Sequence, residues 1–440
     1  MPEIMINNSA WSKFGEKEGG ARPSGDFGGV YKSKNKTALV KQDNCAQDIA
    51  EFLGARIHNA TVLDHSPQLH LAKISKSDNN TEKSDSDIYL ISVFFDNYKD
   101  LYKDIYTEEN IEVPKDRPRA VGSVGSEKIM FRKGLKDNGY TGFPQVMVTS
   151  LLIGDFDVHW GNIGVVRNAN QKPKLVRIDF GAAFNSLKGE IAPHSISQHL
   201  PGFGPTNHFR EFPREMKLND NFIKELERVA KIDLSPAIDN AFEELESFYS
   251  PQALKQFGKR LEVTFNDGDN ISTTIKNHLS DVMKERQASL KNFATELKID
   301  LCISKDPQND EWILDNDKFE RIIQENPKYF EEVCKGERKI NFYDLNHKDT
   351  WNPFSSNPDA ASLKRVFIAI AHAINKILPE FMQLPTNETK IEGLIKSKVN
   401  IMQQPSKQYE LTDNKKISFV EMLAPKGSMH EIGGLGLSSK

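Results

Sequence analysis

The chain is poor in cysteine, in long apolar runs and in excess positive charge, and each shortage excludes something. Three cysteines in 440 residues (Cys45, Cys302 and Cys334) are too few and too scattered for a disulfide framework or a zinc cluster, and they suit a reducing compartment. Nowhere do 18 apolar residues run together. The best stretch, Val366 to Ile374, contains His372 and reads as a buried helix, so no transmembrane segment is expected. The N-terminus lacks a basic region and an apolar core, so no Sec-type signal is expected. Lys and Arg total 58 against 62 Asp and Glu, a net charge of −4 that speaks against a general nucleic-acid binder. No internal repeat is visible. What remains is a globular composition, 38% hydrophobic and 27% charged, long enough for two or three domains.

Residues 1–24, polar and rich in Gly and Lys, read as a flexible lead-in. A β-rich block follows, with strands expected at 30–32, 38–41, 69–74 and 88–95. Ala46, Ile49, Ala50, Leu53 and Ile57 recur at helical spacing, which predicts an amphipathic helix over 45–58. Ser75 to Asp87 holds no apolar residue and reads as a hairpin loop. From about 140 the pattern turns helical, with a helix at 144–153, two short strands at 163–166 and 175–178, and helices near 219–232, 235–249 and 271–298. Residues 301–385 read as a helical extension and 386–440 as a tail of unassigned structure.

The chemistry concentrates in Gly154-Asp-Phe-Asp-Val-His-Trp-Gly-Asn162 and Val176-Arg-Ile-Asp-Phe-Gly181. Phosphoryl transfer from a nucleotide needs hard oxygen ligands for Mg²⁺, and the Asn162 amide and the Asp179 carboxylate, each on a loop beside a short strand, could supply them. It also needs a carboxylate to orient or deprotonate the attacking hydroxyl. Asp157 is placed for that role, with Asp155 as its competitor. Gly181 is expected to turn the chain sharply after Asp179. Upstream, Ser24-Gly25-Asp26-Phe27-Gly28-Gly29 is a glycine-rich turn opening into a strand, where bare backbone could approach phosphates. Lys41 ends an apolar strand and could neutralise the phosphates, with Lys32, Lys34 and Lys36 as competing cations. Glu51 on the following helix is its expected ion-pair partner, and Asp48 the runner-up.

This order of glycine turn, strand Lys, helix Glu, Asp-x-His-x-x-Asn and Asp-Phe-Gly resembles the protein-kinase-like superfamily over about residues 20–300. The Asp-x-His form is similar to that of phosphatidylinositol 3-/4-kinases and other atypical kinases, among them effector kinases that intracellular bacteria such as Legionella inject into host cells. The resemblance implies an α+β, bilobal protein-kinase-like fold. Its β-rich N-lobe would span residues 25–110 and its helical C-lobe 111–300. It also implies ATP with Mg²⁺ (or Mn²⁺) as cofactors, Asp157 as catalytic residue, Asn162 and Asp179 as metal ligands, and Lys41 as the phosphate-pairing cation. Glu51 becomes the partner of Lys41, Gly25, Gly28 and Gly29 the nucleotide-covering turn, and His159 a support for the loop or the transferring phosphoryl group. The chain departs from the pattern in lacking G-x-G-x-x-G and any Ala-Pro-Glu after Asp179.

Residues 115–136 carry seven cations against two acids. Arg117, Arg119, Lys128, Arg132 and Lys133 therefore make a candidate polyanion site, for a phosphoinositide or inositol polyphosphate. His194, His199 and His208 lack companion ligands for a metal. The expected activity is that of an ATP-dependent protein Ser/Thr kinase acting as a bacterial effector, delivered to a host cell by a non-Sec route or otherwise cytoplasmic. A phosphoinositide kinase, an AMP-transferring enzyme and a nucleotide-binding scaffold are the alternatives.

Overall fold

The computed structural model describes residues 3–6, 9–15, 26–33, 36–74, 85–112, 130, 133–185, 187, 191, 214–217, 219–305, 312–341 and 387–403. An antiparallel sheet of six strands opens the chain: β1 (Glu3–Ile6), β2 (Ser9–Gly15), β3 (Gly29–Ser33), β4 (Lys36–Lys41), β5 (Gln68–Lys73) and β6 (Ile88–Val93), in the order β1-β2-β3-β4-β6-β5. The expected lead-in at 1–24 is thus corrected. Part of it forms two strands, and Trp11 is buried with Tyr31, Val40 and Ile91 on one sheet face.

The other sheet face receives α1 (Cys45–Thr61), whose start is capped by the Asn44 side chain accepting the Gln47 N–H. Ile49, Phe52, Leu53 and Ile57 pack there with Leu69, Leu71, Ile88 and Leu90. Strand side chains alternate between faces. Ala38 and Val40 belong to the Trp11 face, so Lys41, in register with Leu90, points to the α1 side. That parity is what aims its ammonium at the helix.

The expected lobe boundary at 110 also shifts. β7 (Tyr98–Asp100) pairs with β8 (Ile163–Val166), which pairs with β9 (Lys174–Arg177), so the chain crosses to the second lobe just after β6. α2 (Leu101–Glu108) and α3 (Phe143–Leu152) follow in that lobe. After the site come α4 (Arg214–Lys217), α5 (Asp220–Val229), α6 (Ser235–Phe248), α7 (Pro251–Arg260) and the 31-residue α8 (Ile271–Leu301). α6 and α7 pack against α1. Arg56 pairs with Glu244 at 2.6 Å across this contact, and Asp85 accepts the backbone N–H of Ser250 at 2.8 Å. The result is the expected bilobal α+β fold, a β-rich N-terminal lobe and a helical one, with the helical lobe gripping the helix of the smaller one.

Beyond α8, the expected all-helical extension contains a hairpin, β10 (Ile303–Lys305) with β11 (Trp312–Leu314), before α9 (Asn316–Glu325) and α10 (Pro327–Cys334). The tail also holds a helix, α11 (Asn387–Gln403), whose Ile395 and Val399 join Phe319, Phe330 and Val333 in a separate apolar cluster. The helix expected around Val366–Ile374 lies outside the described residues. Among the described residues no helix is long and apolar enough to cross a membrane.

Candidate active site

Lys41 leaves the end of β4 and meets Glu51 on the second turn of α1, with Nζ 2.7 Å from Oε2. Both are nearly buried, at 12% and 5% side-chain exposure. The same ammonium lies 3.6 Å from Asp179 Oδ1, which spans the two lobes. Burial alone would lower the Lys41 pKa, yet the charges of Asp179 and Glu51 outweigh it and hold the group above its ordinary value. Asp48 does not take the lysine. Its two carboxylate oxygens accept the Asp43 N–H at 3.1 and 3.0 Å.

The loop from Gly154 to Asn162 is built around a fully buried guanidinium. Arg177, the last residue of β9, donates to Asp155 Oδ2 at 3.0 Å, to the Asn162 carbonyl at 2.9 Å and to the Asp157 carbonyl at 3.2 Å. Asp155 in turn accepts the Asp157 N–H at 3.1 Å. Burial pushes Asp155 up to about 6 against the pull of Arg177, and neighbouring Asp157 adds to the rise. Asp155, wholly buried and paired, therefore holds the loop, while the Asp157 carboxylate keeps 33% of its surface exposed. Sequence reasoning missed Arg177. An arginine ending an apolar strand, two residues before Asp179, was the available signal.

Asn162 donates its amide N–H to the Asp157 carbonyl at 3.0 Å and to Asp157 Oδ2 at 3.2 Å, and its own carbonyl accepts the Ile178 N–H at 3.0 Å. Residues 157, 162 and 179 thus share one small region, fixed by backbone bonds between the two loops. His159 accepts the Gly161 N–H on Nδ1 at 3.0 Å, so its neutral ring carries the proton on Nε2, 4.0 Å from Asp157 Oδ1.

Asp179 holds φ +59°, a left-handed backbone that a non-glycine residue rarely adopts and that concentrates at functional sites. The sharp turn is therefore taken by Asp179 itself, which corrects the role expected of Gly181. A Cβ on Gly181 would sit 2.8 Å from Gln47 Nε2 of α1, so this glycine permits close approach instead. Phe180 is fully buried against α1, tilted at 57° to the His58 ring with centroids 5.3 Å apart. It can reach the helix because position 54 is glycine; a Cβ there would stand 3.0 Å from both Phe180 Cβ and Ala183 Cβ.

Gly28 is buried and Gly29 pairs with Val40 as the first residue of β3, so Gly29 belongs to the strand rather than to the expected turn. Gly25 lies outside the described residues, as do Lys34, His194, His199, His208, Arg117, Arg119, Lys128 and Arg132 of the basic and histidine segments. Lys133 is described and exposed. Lys13 on β2, missed by the sequence reading, lays its side chain over Gly29. Among the described residues no three His, Cys, Asp or Glu side chains are grouped to hold a metal. The Asn162 and Asp179 oxygens are hard donors, the number and kind that suit a Mg²⁺ ion completing its shell with phosphate and water. They fit Mg²⁺ and would not make a zinc site.

Comparison with curated proteins finds no match. Among solved structures, the Helicobacter pylori proinflammatory kinase CtkA is similar at 15% identity, covering 67% of this chain and 100% of that one, with a TM-score of 0.33. An N-terminal 618-residue fragment of LepB from Legionella pneumophila is similar at 12% identity, covering 85% and 76% respectively, with a TM-score of 0.36. Residues 88–295, a little under half of the chain, match the family model of the LepB N-terminal domain.

Proposed function

We propose that the chain is an ATP- and Mg²⁺-dependent phosphotransferase acting on a hydroxyl, and that it works as a bacterial effector. One observation carries the reading: a single ammonium, Lys41, is held between Glu51 of one lobe and Asp179 of the other. Glu51 fixes the ammonium, which neutralises phosphate oxygens at the mouth of the cleft. Asn162 and Asp179 would hold Mg²⁺, which would supply charge neutralisation to the transferring phosphoryl group. Asp157 accepts or orients the acceptor hydroxyl, and the Nε2 proton of His159 faces the same space. Such catalysis rests on positioning and charge neutralisation. The effector reading rests on the match to LepB, a protein of Legionella pneumophila.

A protein Ser/Thr hydroxyl is the first acceptor to try. A phosphoinositide is the second, favoured by the Asp-x-His order and by the cationic segment 115–136. The test is incubation with γ-³²P-ATP and Mg²⁺ or Mn²⁺, with and without eukaryotic cell extract, followed by separate recovery of protein and lipid. Label should enter one fraction and vanish in Asp179→Ala, which keeps its fold because it removes little core packing. Label from α-³²P-ATP alone means AMP transfer. Thermal stabilisation by nucleotide with no transfer means a scaffold, and either result rejects the kinase.

A further inference from the structure

The long helix α8 bonds to the segments that flank both active-site loops, chiefly through a side chain that the proposed chemistry does not use. Arg286 is 4% exposed. Its Nε donates to the Leu152 carbonyl at 2.6 Å, Nη2 donates to the Leu151 carbonyl, and Nη1 donates to the Leu187 carbonyl at 2.8 Å. Leu151 and Leu152 are the last residues of α3, directly before the loop that begins at Gly154. Leu187 lies eight residues after Asp179. One turn further along α8, the Ser289 hydroxyl accepts the Ile191 N–H and donates to the Ile191 carbonyl at 3.1 Å. One helix face therefore ties down the entrance of the Asp157 loop and the exit of the Asp179 loop.

No acid accompanies Arg286 among the described residues; burial alone acts on it, pushing it down to about 10, so it is charged at neutral pH. A buried cation without a counter-ion is costly, and here only carbonyl dipoles, two of them at the negative end of a helix, compensate it. The planar fork of arginine reaches three carbonyls from two segments at once, and a lysine ammonium cannot reproduce that geometry.

We propose that Arg286 is a positioning residue for phosphoryl transfer, setting the Asp157 loop against the Asp179 loop from behind. The proposal rests on the phosphotransfer reading above and adds a residue that touches neither nucleotide nor acceptor. Misplacing a reacting group by about an ångström costs on the order of 100-fold in rate. In the full chain, Arg286→Lys keeps the charge and loses the fork. Its kcat should fall roughly 10- to 100-fold while the KM for ATP stays within about threefold. In Arg286→Ala, added ethylguanidinium should restore kcat and ethylammonium should not. Amide hydrogen exchange in Arg286→Lys should quicken at residues 154–162 and 179–185 and stay parental in β3, β4 and β6.

A folded Arg286→Lys with parental kcat overturns the proposal, as does unchanged exchange in both loops. Should Arg286→Ala fail to fold, Arg286→Lys and its exchange pattern decide alone. A parent without any transfer rejects the phosphotransfer reading instead, and the exchange comparison still decides whether Arg286 anchors the loops.

Discussion

Asp48 offers a direct test of the electrostatics around the small-lobe helix. It is 3% exposed, sits one turn before Glu51, and burial pushes its carboxyl up to about 7, with repulsion from Glu51 adding to the effect. The Asp43 N–H and Lys41 pull the other way and do not prevail. An unfolded aspartate titrates near about 3.9. The native chain therefore binds a proton between about pH 4 and 7 that the unfolded chain has released. Stability from this group is complete below about pH 4 and is lost as pH rises through 7. A separation of about three pH units at about 1.4 kcal/mol each gives a loss of about 4 kcal/mol. Asp48→Asn preserves shape and one acceptor oxygen and cannot ionise. Urea unfolding of both proteins at pH 5, 6, 7 and 8 should show a variant more stable by about 1.5 kcal/mol at pH 5, the gap widening to about 4 kcal/mol at pH 8. Parallel pH profiles would refute the reasoning, since they would mean that the carboxylate is not desolvated.

Other consequences follow from the same geometry. Glu51→Gln leaves Lys41 without its 2.7 Å partner; the fold should survive, while kcat/KM for transfer drops on the order of 100-fold in a labelling time course. Gly54→Val places methyl groups against Phe180 and Ala183, an overpacking that costs about 1–3 kcal/mol in thermal unfolding and moves Phe180, so transfer should fall as well. A parental melting curve and rate in that variant would show that α1 and Phe180 are not in close contact. Arg177→Met leaves buried Asp155 without its cation and takes a donor from two carbonyls, and urea unfolding should register a loss of about 3–5 kcal/mol. A loss below about 1 kcal/mol would contradict the buried network.

Much of the site could be read from local chemistry. Asp157, Asn162 and Asp179 stand in short segments whose spacing already couples a carboxylate, an amide and a strand-borne acid, and the structure brings all three into one region. Lys41 and Glu51 were legible because strand and helix periodicities assign each to a face, and those faces turn out to be opposed. The strands at 3–6 and 9–15 were not legible. They are short, and only pairing with β3 gives Trp11 an interior to occupy. α7 and the helix at 387–403 escaped for a similar reason, since their apolar residues are few and gain meaning only against partners distant in the chain.

By itself the sequence determined the kinds of groups available, their order along the chain, and the local elements that carry them, because spacing and side-chain chemistry act over a few residues. The tertiary structure alone decided three things. Asp155 became a buried support while Asp157 kept part of its carboxylate exposed. Gly54 became the gap through which Phe180 reaches α1. Arg177 and Arg286 became the interior cations around which both loops are arranged. Burial and long-range contact set these roles, and neither quantity exists until the lobes have packed.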